Sequence, residues 1–244
     1  KTGPEVAVIR LPRISNFTDL DPFVYDGVRV RYVEGPGKLG SPGAVVIPGT
    51  KNTVDDLRWL HGNGLGGEIK ALAGKIPIGG LCGGFQILGK RIYDEKNLEG
   101  SGTVEGLGLL DVETRFEAYQ KVTQRVRGKV MAKGGIFQGA EGGEIYGYEI
   151  HMGRSTLGEG TEHLLEIEGR GEGAVSRDGM VFGTYVHGIF DAPTLRGALM
   201  RHMGWKGKGT GDVRDVWRES IARAAEIVEG HLDMGAIARI LEGE

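Results

Sequence analysis

One stretch of the chain carries an arrangement of residues that can do covalent chemistry: Ile76-Pro77-Ile78-Gly79-Gly80-Leu81-Cys82-Gly83-Gly84-Phe85-Gln86-Ile87-Leu88-Gly89. It contains the single cysteine of the sequence. Ile76, Ile78 and Leu81 have the apolar density of a short buried strand, and Phe85 and Leu88, continued by Ile92, recur at helical spacing. Cys82 falls between the two, with glycine two residues before it and at both positions after it. That pattern is a nucleophile elbow with sulfur in place of the usual hydroxyl. A sharp strand-to-helix turn strains the nucleophile's backbone and needs neighbours without a Cβ so that chain segments can approach. The amide of Gly83 would face a reacting carbonyl, and the helix N-terminus would favour an anionic sulfur. A lone cysteine is more often an inert core residue. The flanking glycines are what an inert cysteine does not require.

A cysteine nucleophile needs a base close in space. Six histidines are available. His187 ends the apolar run Met180–Val186 and precedes Gly188, and His151 ends Ile145–Ile150 with Glu149 two residues earlier on the same strand face. In a parallel α/β sheet the functional groups gather beyond the carboxyl ends of the strands, so His187 is the expected base. Gly49, after the apolar run Ala44–Ile47, is placed to supply a second amide to an oxyanion hole beside that of Gly83. His61, His163, His202 and His231 read as surface or packing residues.

The elements that must position these groups follow from the pattern. Glu5–Leu11, Gly27–Val33, Ala44–Pro48 and the run before Cys82 alternate with helical segments through Val54, Leu57 and Leu60 and through Ile69 and Leu72. This predicts an α/β fold built on a doubly wound sheet. Thr53 and Asp56 resemble a capping box at the first of these helices. Between 104 and 186 the segments 107–112, 121–126, 145–150, 164–167 and 180–186 predict short strands joined by glycine turns, an antiparallel layer beside the main sheet. Helices are expected at 192–203, 212–229 and 232–241, after a Gly/Lys-rich linker at 206–211.

Composition narrows the function classes. The chain has 244 residues and a net charge of −3, with no basic bias toward nucleic acid or membrane surfaces. One cysteine suits a reducing, cytoplasmic setting. No apolar run reaches the roughly 20 residues of a membrane span. Zinc-ligand spacings are absent, and no Gly-Lys pair is followed by Ser or Thr as a phosphate-binding loop requires.

The elbow Gly80-Leu81-Cys82-Gly83-Gly84-Phe85-Gln86 resembles the nucleophile motif of class I glutamine amidotransferase domains. Four further blocks, Arg10–Asp19, Val46–Thr53, Gly147–Gly153 and Gly183–Phe190, are together similar to the C-terminal glutaminase half of the cobyric acid synthase family. The resemblance implies a flavodoxin-like mixed sheet with an antiparallel layer and C-terminal helices. It implies a glutaminase domain at 1–205 and a helical extension at 206–244 packed on it, with the family's N-terminal ATP and corrinoid synthetase domain absent from this chain. The implied reaction is hydrolysis of L-glutamine through a Cys82 thioester, with His187 as base. Gly49 and Gly83 form the oxyanion hole, Gln86 and His151 line the glutamine pocket, and Glu149 is an orienting residue. The ammonia would amidate corrinoid carboxylates, converting adenosylcobyrinic acid a,c-diamide to adenosylcobyric acid. No cofactor is expected in this chain, while ATP and Mg belong to the synthetase partner. Typical class I members carry Glu two residues after the histidine, where this sequence has Ile189. The site is therefore expected to be a Cys–His dyad or to borrow Glu149 or Asp191. Competing readings are the glutaminase of cobyrinic acid a,c-diamide synthase or of lipid II isoglutaminyl synthase, a cysteine peptidase, and a catalytically silent scaffold.

Overall fold

The computed structural model describes residues 3–100, 102–119 and 121–243. The chain divides into two compact units, Lys1–Gly209 and Thr210–Glu244.

The first unit is organised by β1 (Glu5–Ile9), β2 (Arg29–Val33), β3 (Ala44–Ile47) and β4 (Ile78–Leu81). With Val181–Thr184 they form the parallel part of a seven-stranded sheet, which Ala174–Ser176 and Thr161–Glu162 extend antiparallel. The sheet is buried on both faces, and the sequence shows it. Val6 and Val8 enter one core with Val46 and Leu81, while Ala7 and Ile9 enter the other with Val45, Ile47 and Ile78. Near-continuous apolar runs are what a parallel strand covered on both sides requires. Phe23 of α1 (Asp21–Tyr25) covers the first face, joined late in the chain by Leu195 and Leu199. α2 (Thr53–Asn63), α3 (Leu65–Leu72) and α4 (Gly83–Leu88) cover the second through Leu57, Leu60, Ile69 and Phe85. β2 has only one buried residue, Val33, because it is the edge strand.

The layer expected as antiparallel is two sheets, one of them mixed. In that one Arg91–Asp94 pairs antiparallel with Gly102–Glu105 and parallel with Val112–Arg115, and the last of these pairs antiparallel with Arg154–Leu157. The other runs Arg170–Glu172, Leu165–Ile167, Val122–Val130, Glu144–His151 and Val186–His187. The stretch expected as one strand over 180–186 is therefore split: Val181–Thr184 lies in the main sheet, and Val186–His187 pairs with Glu144–His151.

Three local expectations are corrected. Ile92 lies in the strand Arg91–Asp94 and not on the helix after Cys82, which stops at Leu88. Residues 107–110 form no strand; Leu107, Gly108, Leu109 and Leu110 donate their N–H groups to the carbonyls of Ile87, Leu88 and Gly89 and so satisfy the end of α4. The cap of α2 is Asn52, whose side chain accepts from Asp55 N–H (2.8 Å), so Thr53 is already the first helical residue.

α5 (Pro193–His202) closes the first unit. The second unit holds α6 (Val213–His231) and α7 (Met234–Glu242), N-capped by the side chains of Asp212 and Asp233. Trp217, Ile221, Val228, Ile240 and Leu241 are exposed. Among the described residues no helix is long and apolar enough to cross a membrane.

Candidate active site

Cys82 sits at the junction of β4 and α4 with φ 51° and ψ −110°. A non-glycine residue pays for this conformation with strain of about 1–3 kcal/mol, which the surroundings must enforce. They do so on both sides. Cys82 N–H donates to Thr184 O (2.8 Å), and Cys82 O accepts from Gln86 N–H (3.2 Å). Gly84 lies against the carbonyls of Ile47 and Pro48 at the end of β3, so closely that a Cβ there would overlap the Ile47 oxygen. The elbow closes only because position 84 has no side chain. The thiol points along the cleft toward Ile150 O (3.6 Å).

Because β3 and β4 are adjacent and parallel, the loops that follow them meet at one end of the sheet. Gly49 lies on the loop after β3, and Gly83 is the first residue of α4, directly after β4 and Cys82. A Cβ on Gly83 would meet the Thr50 methyl at 2.6 Å, and one on Gly49 would meet His187 Cε1 at 3.2 Å. Gly83 thus follows Cys82 directly and packs against the Thr50 side of the β3 loop, and the His187 ring lies beside Gly49.

His187 is fully buried where the chain steps from the main sheet into the five-stranded sheet. Its partner across the ladder is Tyr148, whose ring stacks on it with centroids 5.3 Å apart. Nδ1 is 2.7 Å from Asp19 Oδ2, and the other oxygen of Asp19 accepts from Gly188 N–H (2.8 Å). Asn16 Nδ2 lies 2.9 Å from Nε2 and 3.2 Å from Nδ1. An atom so nearly equidistant from both nitrogens packs against the ring rather than along either lone pair. Burial works against the charged imidazolium. The Asp19 hydrogen bond and the neighbouring Cys82 thiol outweigh it, and the His187 pKa is pushed up to about 9.

The thiol opens into a cavity of 410 Å³ lined by Asn16, Lys51, Thr53, Gln86, Glu99, Lys121 and His151, among others. Gln86 is held rigid: its amide oxygen accepts from Thr53 Oγ1 (2.9 Å) and its nitrogen donates to Met152 O (2.9 Å) and Tyr185 Oη (3.2 Å). Glu99 accepts from Thr53 N–H (2.7 Å), and burial raises its pKa. It reaches the cavity because the buried Asp94 carboxylate accepts the N–H groups of Leu98, Glu99 and Gly100 and so shapes the loop. His151 stacks on Tyr185 with centroids 3.7 Å apart, and burial lowers its pKa.

The structure thus brings together Cys82, His187, Gly49, Gly83, Gln86 and His151. Glu149 is placed elsewhere. It is buried, it accepts from Gln124 and from Arg170 (2.7 Å), and it lines a second cavity of 210 Å³ behind His151 that does not include Cys82. Asp191 closes the turn after Gly188, its N–H on the Gly188 carbonyl (2.9 Å). Sequence reasoning missed Asp19, Asn16 and Glu99. The first two lie inside the Arg10–Asp19 block that carried the resemblance, which was the available signal; Glu99 had none. Among the described residues no group of three or more His, Cys, Asp or Glu is placed to hold a metal ion.

Residues 5–195 match the model of the CobB/CobQ-like glutamine amidotransferase domain. A probable cobyric acid synthase of Methanosarcina barkeri is 45% identical over 97% of this chain and 48% of its own length. A cobyric acid synthase of Pelotomaculum thermopropionicum is 48% identical over 82% of this chain and 39% of its own. The chain spans about half the length of such relatives. Among solved structures, PurLQS from Thermotoga maritima superimposes with a TM-score of 0.65 at 18% identity, covering 82% of this chain and 99% of that one. A glutamine amidotransferase superimposes with a TM-score of 0.59 at 18% identity, covering 82% of this chain and 98% of that one. The fold is that of the class I glutamine amidotransferases. The chain belongs to the CobB/CobQ-like glutamine amidotransferase domain family.

Proposed function

We propose that this chain hydrolyses L-glutamine through a covalent Cys82 intermediate and delivers the ammonia to a synthetase partner that amidates corrinoid carboxylates, as the glutaminase half of a cobyric acid synthase. The observation that carries the reading is the strained Cys82, which opens into a cavity lined by polar side chains, beside the fully buried His187.

In this reading glutamine enters with its side-chain amide toward Cys82. Glu99 is the carboxylate of the cavity and suits the α-ammonium group; Lys51 and Lys121 suit the α-carboxylate. Gln86, already fixed by three hydrogen bonds, shapes the wall. The Cys82 sulfur adds to the amide carbon with its proton already held by His187, whose raised pKa keeps the ring protonated near neutral pH. The amides of Gly49 and Gly83 receive the developing oxyanion. The tetrahedral adduct collapses, the C–N bond breaks, and His187 passes its proton to the departing nitrogen, releasing ammonia and leaving a γ-glutamyl thioester. Water, deprotonated by His187, then adds to the thioester carbon, and glutamate leaves as the thiol regains its proton. ATP and magnesium act in the synthetase partner, which activates the acceptor carboxylate, and the cytoplasm is the proposed setting.

The identity to cobyric acid synthases across nearly the whole chain supports the corrinoid acceptor. The test is to combine the chain with the synthetase half of the Methanosarcina barkeri relative, ATP, magnesium, glutamine and adenosylcobyrinic acid a,c-diamide, and to follow amidation by mass spectrometry. Stepwise addition of amide groups dependent on this chain is expected. Glutamine hydrolysis without amidation there, together with amidation of another carboxylate by a different partner, would replace the acceptor and leave the glutaminase standing.

A further inference from the structure

The usual orienting acid of a class I site would stand at position 189, and here that position is Ile189, which is fully buried and apolar. We infer that Asp19, from the other end of the chain, is the positioning residue for His187, so that the site is a Cys82–His187–Asp19 triad whose acid is carried by the loop after β1. The inference rests on the reading of Cys82 and His187 given above.

Three observations support it. The carboxylate holds the base at two points, the ring at Nδ1 (2.7 Å) and the following peptide at Gly188 N–H (2.8 Å). One rigid group therefore fixes both the rotation of the ring and the turn that presents it. Asp19 is itself buried, which shields that hydrogen bond from competing water. It is also built to stay there. It lies on a short 3₁₀ helix, Phe17–Leu20, entered through Asn16 in the left-handed conformation (φ 52°) and anchored by Leu20 in the core.

The chemical consequence follows from the two nitrogens of imidazole. An Nδ1–H bonded to Asp19 leaves the lone pair on Nε2, the tautomer that can accept the Cys82 proton. Once His187 takes that proton, the adjacent carboxylate stabilises the imidazolium. Glu149 cannot do this, being committed to Arg170 and Gln124 on another strand face.

The test compares Asp19→Asn and Asp19→Glu with the wild type, using glutamate release and proton NMR of the imidazole N–H. Other groups surround this contact: Cys82 and Tyr148 face His187 itself, Asp21 lies near Asp19, and Asp191 lies near Tyr148. The titration is therefore read as a difference between Cys82→Ser and Cys82→Ser/Asp19→Asn, which keeps all but Asp19 constant. We expect Asp19→Asn to lower kcat by about 10²–10⁴-fold with KM within about threefold, and Asp19→Glu to recover part of the loss. The His187 titration midpoint should fall by at least about one unit in the double variant, and the downfield Nδ1 proton of Cys82→Ser should disappear. Turnover of Asp19→Asn within about threefold of wild type, or an unchanged midpoint, would overturn the assignment. Should Asp19→Asn not fold, Cys82→Ser alone decides, since absence of a hydrogen-bonded Nδ1 proton there refutes the contact. Failure of the parent reading looks different: Cys82→Ser would then hydrolyse glutamine as well as the wild type does.

Discussion

Cys82 N–H donates to the Thr184 carbonyl at 2.8 Å, tying the strained turn at Cys82 to the strand that leads, three residues later, to His187. β4 and Val181–Thr184 are parallel neighbours in register, Leu81 opposite Thr184. The backbone register of the main sheet thereby sets the spacing of Cys82 and His187. The break at Tyr185 then turns His187 into the second sheet, where Tyr148 covers its ring.

The elbow should tolerate no side chain at position 84. A Cβ there overlaps the Ile47 carbonyl, which belongs to the central sheet and has no room to retreat. Gly84→Ala is expected to cost about 3 kcal/mol or more, read as a lowered urea midpoint, and to lower Cys82 reactivity in whatever folds. Stability within about 0.5 kcal/mol of wild type would mean that α4 can shift away from β3.

Glu172 gives the protein a stability that depends on pH. Burial pushes its carboxyl up to about 7 from the ordinary 4.5, against the pull of its hydrogen bonds to Thr184 Oγ1 (2.6 Å) and Tyr185 N–H (2.7 Å). Between those two values the folded protein holds a proton that the unfolded chain has released. Stability therefore falls as pH rises from about 4.5 to about 7 and the charged form must be accommodated in the interior. Glu172→Gln removes that titration while its amide can still serve both neighbours. The variant should gain on the wild type as pH is raised from 5 to 8, measured by thermal melting at each pH. A gap that stays constant, or narrows in the variant's disfavour, would contradict this account.

Much of the fold was readable because its parallel strands are covered on both faces. Val6–Ile9, Ala44–Ile47 and Ile78–Leu81 are apolar throughout, and such runs bounded by glycine and proline have few other destinations. Short apolar segments were the difficulty. Leu107, Leu109 and Leu110 look like a strand, yet their backbone bonds satisfy the end of a helix. Met180–Val186 looks like one strand, yet it serves two sheets. Within the site, Cys82 and His187 announce themselves by neighbouring glycines and strand-end positions. Asp19 does not, because it meets His187 across 168 residues of sequence and nothing in the local pattern of a polar loop records a partner so distant. Glu149 illustrates the converse: it shares a strand face with His151 as its spacing implies, but Arg170 arrives from elsewhere and claims it.

Glutamate release from L-glutamine by the purified chain, wild type beside Cys82→Ser, tests the central claim most directly. The account predicts turnover that the substitution abolishes, a loss of at least about 10⁴-fold, while the melting temperature stays within a few degrees and glutamine still binds. Hydrolysis that survives in Cys82→Ser would contradict it, and so would a wild-type chain that neither turns over glutamine nor is labelled at Cys82 by an electrophilic glutamine analogue.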